Sequence, residues 1–130
     1  MSGLETGEFR VARMPDNPPG IHRMMERLLT ARFAATALLV TQPEAYLTVF
    51  SSLAARRLRV PEDISLIDCA HDAFLDHLLP QPTGYHIAPS VFASHVLRLV
   101  MDVIEGRPLE VPRRLILPEF VRGGSVGRVE

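Results

Sequence analysis

The stretch from Leu58 to Pro80, LRVPEDISLIDCAHDAFLDHLLP, does most to limit what this chain can become. Its first residues read as the end of a helix, Pro61 sets a tight turn, and the apolar run Ile64 to Ile67 predicts a short buried strand. That strand runs out into Asp68, Cys69, Ala70, His71 and Asp72. A buried strand ending in a polar cluster fits a parallel sheet, whose carboxyl edge gathers backbone amides and helix N-termini and is where α/β proteins meet ligands. Function is therefore expected at this cluster.

The flanking segments fit the same plan. Glu8 to Met14 alternates polar and apolar residues and predicts a first strand packed through Phe9, Val11 and Ala12, followed by the turn-rich loop Asp16 to Gly20. Ile21, Met24, Met25, Leu28 and Leu29 share one helix face. The run Thr36 to Thr41 (TALLVT) predicts a strand covered on both faces. Pro43 then opens a helix packed through Tyr46, Val49, Phe50 and Leu53, with Arg56 and Arg57 opposing the negative end of its dipole. A short helix is expected at Ala73 to Leu79, and a longer one from Val91 to Glu105, closed by Gly106 and Pro108. The longer helix is apolar on more than one side, which predicts burial on several sides or a partner. Arg114 to Leu117 (RLIL) predicts a last strand. Single helices between strands predict an α/β fold, a parallel sheet with right-handed crossovers and helices on both faces.

Composition narrows the function. At 130 residues the chain suits one compact domain, and 47% hydrophobic with 22% charged residues excludes wholesale disorder. A formal net charge of −1 excludes a domain that binds nucleic acid unaided, because such domains carry a basic excess. The single cysteine, Cys69, excludes an internal disulfide and fits a reducing compartment. No apolar run reaches the roughly 20 residues that span a bilayer, so a soluble cytoplasmic protein with no membrane partner is expected.

Motifs in order and spacing resemble a family. ATALLVT, LRVPEDISLIDCA, Pro80 with Thr83, a helix ending in Gly106, and LPEFVRGGS are similar to the C-terminal part of the effector-binding domain of LacI/GalR-type transcriptional regulators. That family carries a PTA-type strand ending in Asn-Asp, then G-L-x-V-P-x-D-I-S-V-x-G-[FY]-D, then P-x-L-T-T-V and a terminal L-P-x-x-L-x-V-R-x-S. Leu58, Val60, Pro61, Asp63, Ile64 and Ser65 match the central motif, and Leu117, Pro118, Arg122 and Ser125 match the end. The resemblance implies one lobe of a two-lobed, periplasmic-binding-protein-like fold: residues 1–88 and 110–123 form the lobe proper, and 89–107 form a helix that packs on the first lobe. A small-molecule effector of sugar or nucleoside type is implied between the lobes, with a homodimer, and with DNA bound only through a helix-turn-helix domain that this sequence lacks.

By the same resemblance, effector contacts fall on Asp16, Gln42, His71 and Asp72, and the dimer contact on Leu47, Phe50, Phe74, His77 and Leu78. Asp16 has an alternative role in capping the helix of Ile21. The family's Asn-Asp becomes Gln42 and Pro43, its glycine becomes Asp68, its aromatic becomes Cys69, and its effector-holding aspartate becomes Ala70. An alanine methyl cannot accept a hydrogen bond. Either His71 or Asp72 takes over that contact, or the pocket is vestigial. Two other readings stay open: a sugar-binding protein of a transport system, and a small α/β enzyme using Cys69, His71 and Asp72 as nucleophile, base and orienter. The second is disfavoured because residues this close in sequence point in different directions. His22, His77, His86 and His95 show no metal-ligand spacing, so no metal site and no cofactor are expected.

Overall fold

The computed structural model describes residues 12–30, 35–108 and 115–128. Helix α1 (Pro18–Thr30) starts where the Asn17 side chain accepts the Gly20 N–H at 2.8 Å, and it buries Ile21 and Met25. Asn17 rather than Asp16 is thus its cap. Strand β1 (Ala37–Val40) leads into α2 (Pro43–Ala55), which buries Tyr46, Val49 and Leu53. Just beyond α2, the Arg56 guanidinium donates to the Ser52 carbonyl and reaches the His22 carbonyl of α1, which closes the helix end and links the two helices. Strand β2 (Ser65–Asp68) follows, then a 3-10 turn (Ala73–His77), β3 (Thr83–His86), α3 (Pro89–Ile104) and β4 (Glu119–Val121).

The sheet order is β1-β2-β3-β4, with the first three strands parallel and β4 antiparallel to β3. This is the α/β architecture that the element order predicts. Leu38, Val40 and Leu66 meet Ile21, Met25, Tyr46, Val49 and Leu53 in one core. Each large side chain fully buried there contributes about 1.5–3 kcal/mol.

Three expectations need correction, and a fourth lies mostly outside the described residues. Leu39 is 59% exposed, so β1 is not buried on both sides as its continuous apolar run predicts. The last strand is Glu119–Val121 rather than Arg114 to Leu117, and Leu115 and Leu117 are 92% and 88% exposed. Pro118 lacks an N–H for a ladder, and pairing begins only after it. Strand β3 has no counterpart in the sequence reading, because TGYH is short and polar and only its pairing with β2 makes it a strand. The first strand expected at Glu8 to Met14 lies mostly outside the described residues, and Ala12 to Met14 are not in a strand.

The C-terminal tail stitches the sheet. Ser125 is fully buried; its hydroxyl donates to the Leu66 carbonyl and accepts the Thr83 N–H at 2.8 Å, while its own carbonyl accepts the Leu66 N–H at 2.9 Å. Gly123 N–H and Gly127 N–H bond the Thr83 and Ser65 hydroxyls on either side. The serine that closes the terminal motif therefore satisfies backbone groups of β2 and β3. In the VPEDIS turn, Asp63 accepts the Arg59 backbone N–H at 2.8 Å and its Nε at 3.0 Å. These hydrogen bonds hold the Asp63 carboxyl below the ordinary aspartate range.

Helix α3 stands apart. None of its residues is buried, and Phe92, Leu97 and Ile104 are 56%, 62% and 70% exposed. Among the described residues the expected burial on several sides is not found for it.

Ser125→Ala leaves the Thr83 N–H and the Leu66 carbonyl without their partner and is expected to cost about 1–3 kcal/mol per orphaned group in urea unfolding. Ser51→Ala, on the exposed side of α2, should stay within about 0.5 kcal/mol of the parent. The Asp63 contribution is present above the ordinary aspartate value of 3.8 and lost as pH falls through the lower folded value, so Asp63→Asn should flatten the acid limb of the stability profile there.

Candidate functional site

The carboxyl ends of β1, β2 and β3 lie on one edge because the strands are parallel. In register, Val40 faces Asp68 and Asp68 faces Gly84, so these three positions share a face of the sheet. Gly84 is required there: a Cβ at that position would sit 2.1 Å from the Asp68 carbonyl oxygen. With no side chain to hold it off, β3 lies close against β2. His86, two residues further on and on the same face as Gly84, then reaches Asp68.

Asp68 is fully buried. Its Oδ1 accepts the Ala70 N–H at 3.1 Å, which turns Oδ2 toward two imidazoles. His71 Nδ1 is 3.6 Å and His86 Nε2 3.7 Å from that oxygen, and the two rings stack with centroids 3.7 Å apart and planes 20° from parallel. On its other side His71 Nε2 lies 3.4 Å from Asp76 Oδ1 on the 3-10 turn. Asp68 Oδ2, His71 Nδ1 and His86 Nε2 are all buried and none has a hydrogen-bond partner. Burial lowers the His86 pKa, the neighbouring His71 lowers it further, and Asp68, Asp76 and Glu119 pull in the opposite direction. A carboxylate and two imidazoles converging in this way can bind a cation or a ligand rich in hydrogen-bond donors. Among the described residues they are the group of three such side chains whose donor atoms lie within 4.8 Å of one another.

The expected effector residues divide. Asp16 and Gln42 come together in an open depression of 270 Å³ walled by Pro15, Ile21, Ala45 and Thr48. Gln42 is at the N-cap of α2 but makes no capping hydrogen bond through its side chain, so its amide is available. His71 belongs to the Asp68 cluster, whereas Asp72 accepts the Phe74 N–H at 3.5 Å as N-cap of the 3-10 turn. Asp68 lies in the cluster where function is expected but is given no contact role from the sequence, and His86 is given none either. An aspartate closing a buried strand, three residues before His71, was a usable signal; for His86 there was none, since only the β2–β3 register brings it in.

Cys69, His71 and Asp72 do not form a catalytic group. The Cys69 thiol pKa is raised by burial and by the charge of Asp68, the opposite of an activated thiolate, and Asp72 is engaged elsewhere. Of the expected dimer contacts, Leu47, Phe74 and His77 are exposed, while Phe50 and Leu78 pack against the core.

A mostly parallel sheet with a polar carboxyl edge beside an uncovered apolar helix defines an α/β fold, and comparison with known proteins gives the family. The model of the periplasmic binding protein-like domain matches residues 2–126, and the chain belongs to that family. A LacI family transcriptional regulator from Bifidobacterium animalis subsp. lactis is similar in structure, with a TM-score of 0.81 at 20% identity over 93% of this chain and 44% of the regulator. The transcription regulator CcpA of Lactococcus lactis gives 0.73 at 22% identity over 85% and 40% of the two chains. A LacI family regulator from Enterococcus faecium with bound ribose gives 0.75 at 17% identity over 88% and 42%. The chain thus spans less than half the length of each of these proteins. No curated protein sequence matches it.

The close approach at Gly84 is directly testable. Gly84→Ala is expected to separate β3 from β2 and to cost at least about 1–3 kcal/mol in thermal or urea unfolding, whereas Gly106→Ala in open space should be limited to the strain of its positive φ.

Proposed function

We propose that this chain is the C-terminal lobe of the effector-sensing domain of a LacI-type, cytoplasmic transcriptional regulator, and that it acts without catalysis. The observation that carries this reading is the polar carboxyl edge of the parallel sheet, where Gln42 follows β1, Asp68 and His71 follow β2, and His86 ends β3. Residues 1–88 and 110–123 make the lobe proper. The helix within 89–107, apolar and exposed, crosses to a first lobe, which explains an unburied face of this size. The structurally similar regulators, one of them holding ribose, support a cleft between two lobes that receives a small molecule.

Asp16 and Gln42 form one part of this lobe's wall and His71 another; Asp72 contributes only by shaping the 3-10 turn. With alanine at position 70, recognition shifts from the usual aspartate to the Asp68 and His71 pair beside it. Leu47 and Phe74, exposed at 44% and 37%, and His77 supply the self-association surface, with Phe50 and Leu78 packed behind them. Effector binding would bias two lobe arrangements and so reposition the DNA readers of a dimer. The membrane has no part in this scheme, and among the described residues no helix is long and apolar enough to cross one.

Thermal-shift and calorimetric titration with pentoses, hexoses and nucleosides tests the reading. One wall of a cleft is expected to bind in roughly the millimolar range. Gln42→Ala should weaken the best ligand about tenfold, the equivalent of about one good hydrogen bond. Sedimentation should show a dimer that Leu47→Asp with Phe74→Asp makes monomeric. No ligand from the panel and no self-association would refute the assignment.

A further inference from the structure

We infer that Asp68, His71 and His86 form a binding site for a divalent transition-metal ion of the zinc type, with at least one coordination position left open. Buried charges in proteins are normally paired or coordinate metals, yet Asp68 Oδ2 is fully buried and has no hydrogen-bond partner. The atoms that face it, His71 Nδ1 and His86 Nε2, are also buried and also lack partners. Their separations from Oδ2, 3.6 and 3.7 Å, are too long for good hydrogen bonds. They are close to the spacing of two ligands on one ion: bonds of about 2.0–2.2 Å at a tetrahedral angle place ligand atoms about 3.4 Å apart.

The surroundings prepare each ligand. The Ala70 N–H holds Asp68 through Oδ1 and leaves Oδ2 free to coordinate. Asp76 Oδ1, 3.4 Å from His71 Nε2, puts a negative charge beside that ring nitrogen, which favours the proton there and so leaves the lone pair of Nδ1 facing Asp68. An outer carboxylate that orients a histidine in this way is a recurrent feature of metal sites. Gly84 provides the room that lets β3 bring His86 in. Two rings stacked at 3.7 Å cannot aim their in-plane lone pairs at one ion, so binding tilts them apart. Imidazole nitrogens with a single carboxylate select zinc, nickel, cobalt or copper over calcium or magnesium. Cys69 stays outside the set, although it adjoins Asp68 in sequence.

The site shares Asp68 and His71 with the proposed effector wall but does not depend on that reading. Metal binding without sugar binding, or the reverse, separates the two. The test is titration of the untagged, chelator-treated chain with Co²⁺, read by visible absorption, followed by displacement with Zn²⁺. One ion per chain is expected, with Zn²⁺ raising the melting temperature. His71→Gln and His86→Gln, whose side chains are about one-fifth exposed and tolerate change better than Asp68, should each weaken binding at least tenfold and abolish the thermal shift. Asp76→Asn acts only through His71 and should weaken binding by a smaller factor, while His22→Gln and His95→Gln should leave it unchanged. Circular dichroism checks that each variant is folded. Absence of saturable binding below about 1 mM, a threshold corresponding to about −4 kcal/mol, would overturn the proposal. Equal affinity of the folded His71 and His86 variants and the parent would do the same.

Discussion

The contact on which the rest of this structure depends is the close approach of β3 to β2 at Gly84 and Asp68. Parallel strands separated in sequence have no hairpin to fix their register, so side-chain volume at the contact has to do it. Here a glycine lies against a backbone carbonyl that any larger residue would meet. With that register set, Thr83 lies beside Ile67 and presents its N–H to Ser125 at one end of the strand, while His86 meets Asp68 and His71 at the other. The tail stitch and the polar cluster are two consequences of one pairing.

The molecule holds two kinds of surface that an isolated lobe would not need. One is the carboxyl edge, where the buried Asp68 carboxylate is only half satisfied. The other is α3, whose apolar residues face water. Both cost free energy in a free-standing domain, the first through desolvation without compensation and the second through exposed apolar area. Both make sense in a chain that works by being joined to something else. In the proposed scheme a ligand or ion completes the edge, and the first lobe covers the helix.

Much of this was readable from the residues. The helices around Ile21 and Tyr46 follow from apolar spacing, because side chains recurring with a 3.6-residue period fall on one side only when the backbone is helical. The strand ending at Asp68 follows from a short apolar run, and the VPEDIS turn behaves as Pro61 and Asp63 require, with the aspartate accepting backbone and side-chain bonds from Arg59. The site was legible only in part. Gln42 and His71 lie at strand ends, where position alone implicates them, whereas Asp72 was spent on capping a turn. Such local use of an aspartate competes with ligand contact and cannot be told from it by spacing.

The sequence by itself determined the class of fold, the family, and the polar cluster that follows the strand ending at Asp68, because these depend on local periodicity and on motifs contiguous in the chain. Only the tertiary structure decided that TGYH is a strand, that Ser125 is a structural node, and that His86 joins Asp68 and His71 across 18 and 15 residues of chain. Those facts depend on register and close approach between distant segments. A sequence carries them only as the absence of a side chain at position 84, and that absence acquires meaning when a second strand is laid against it.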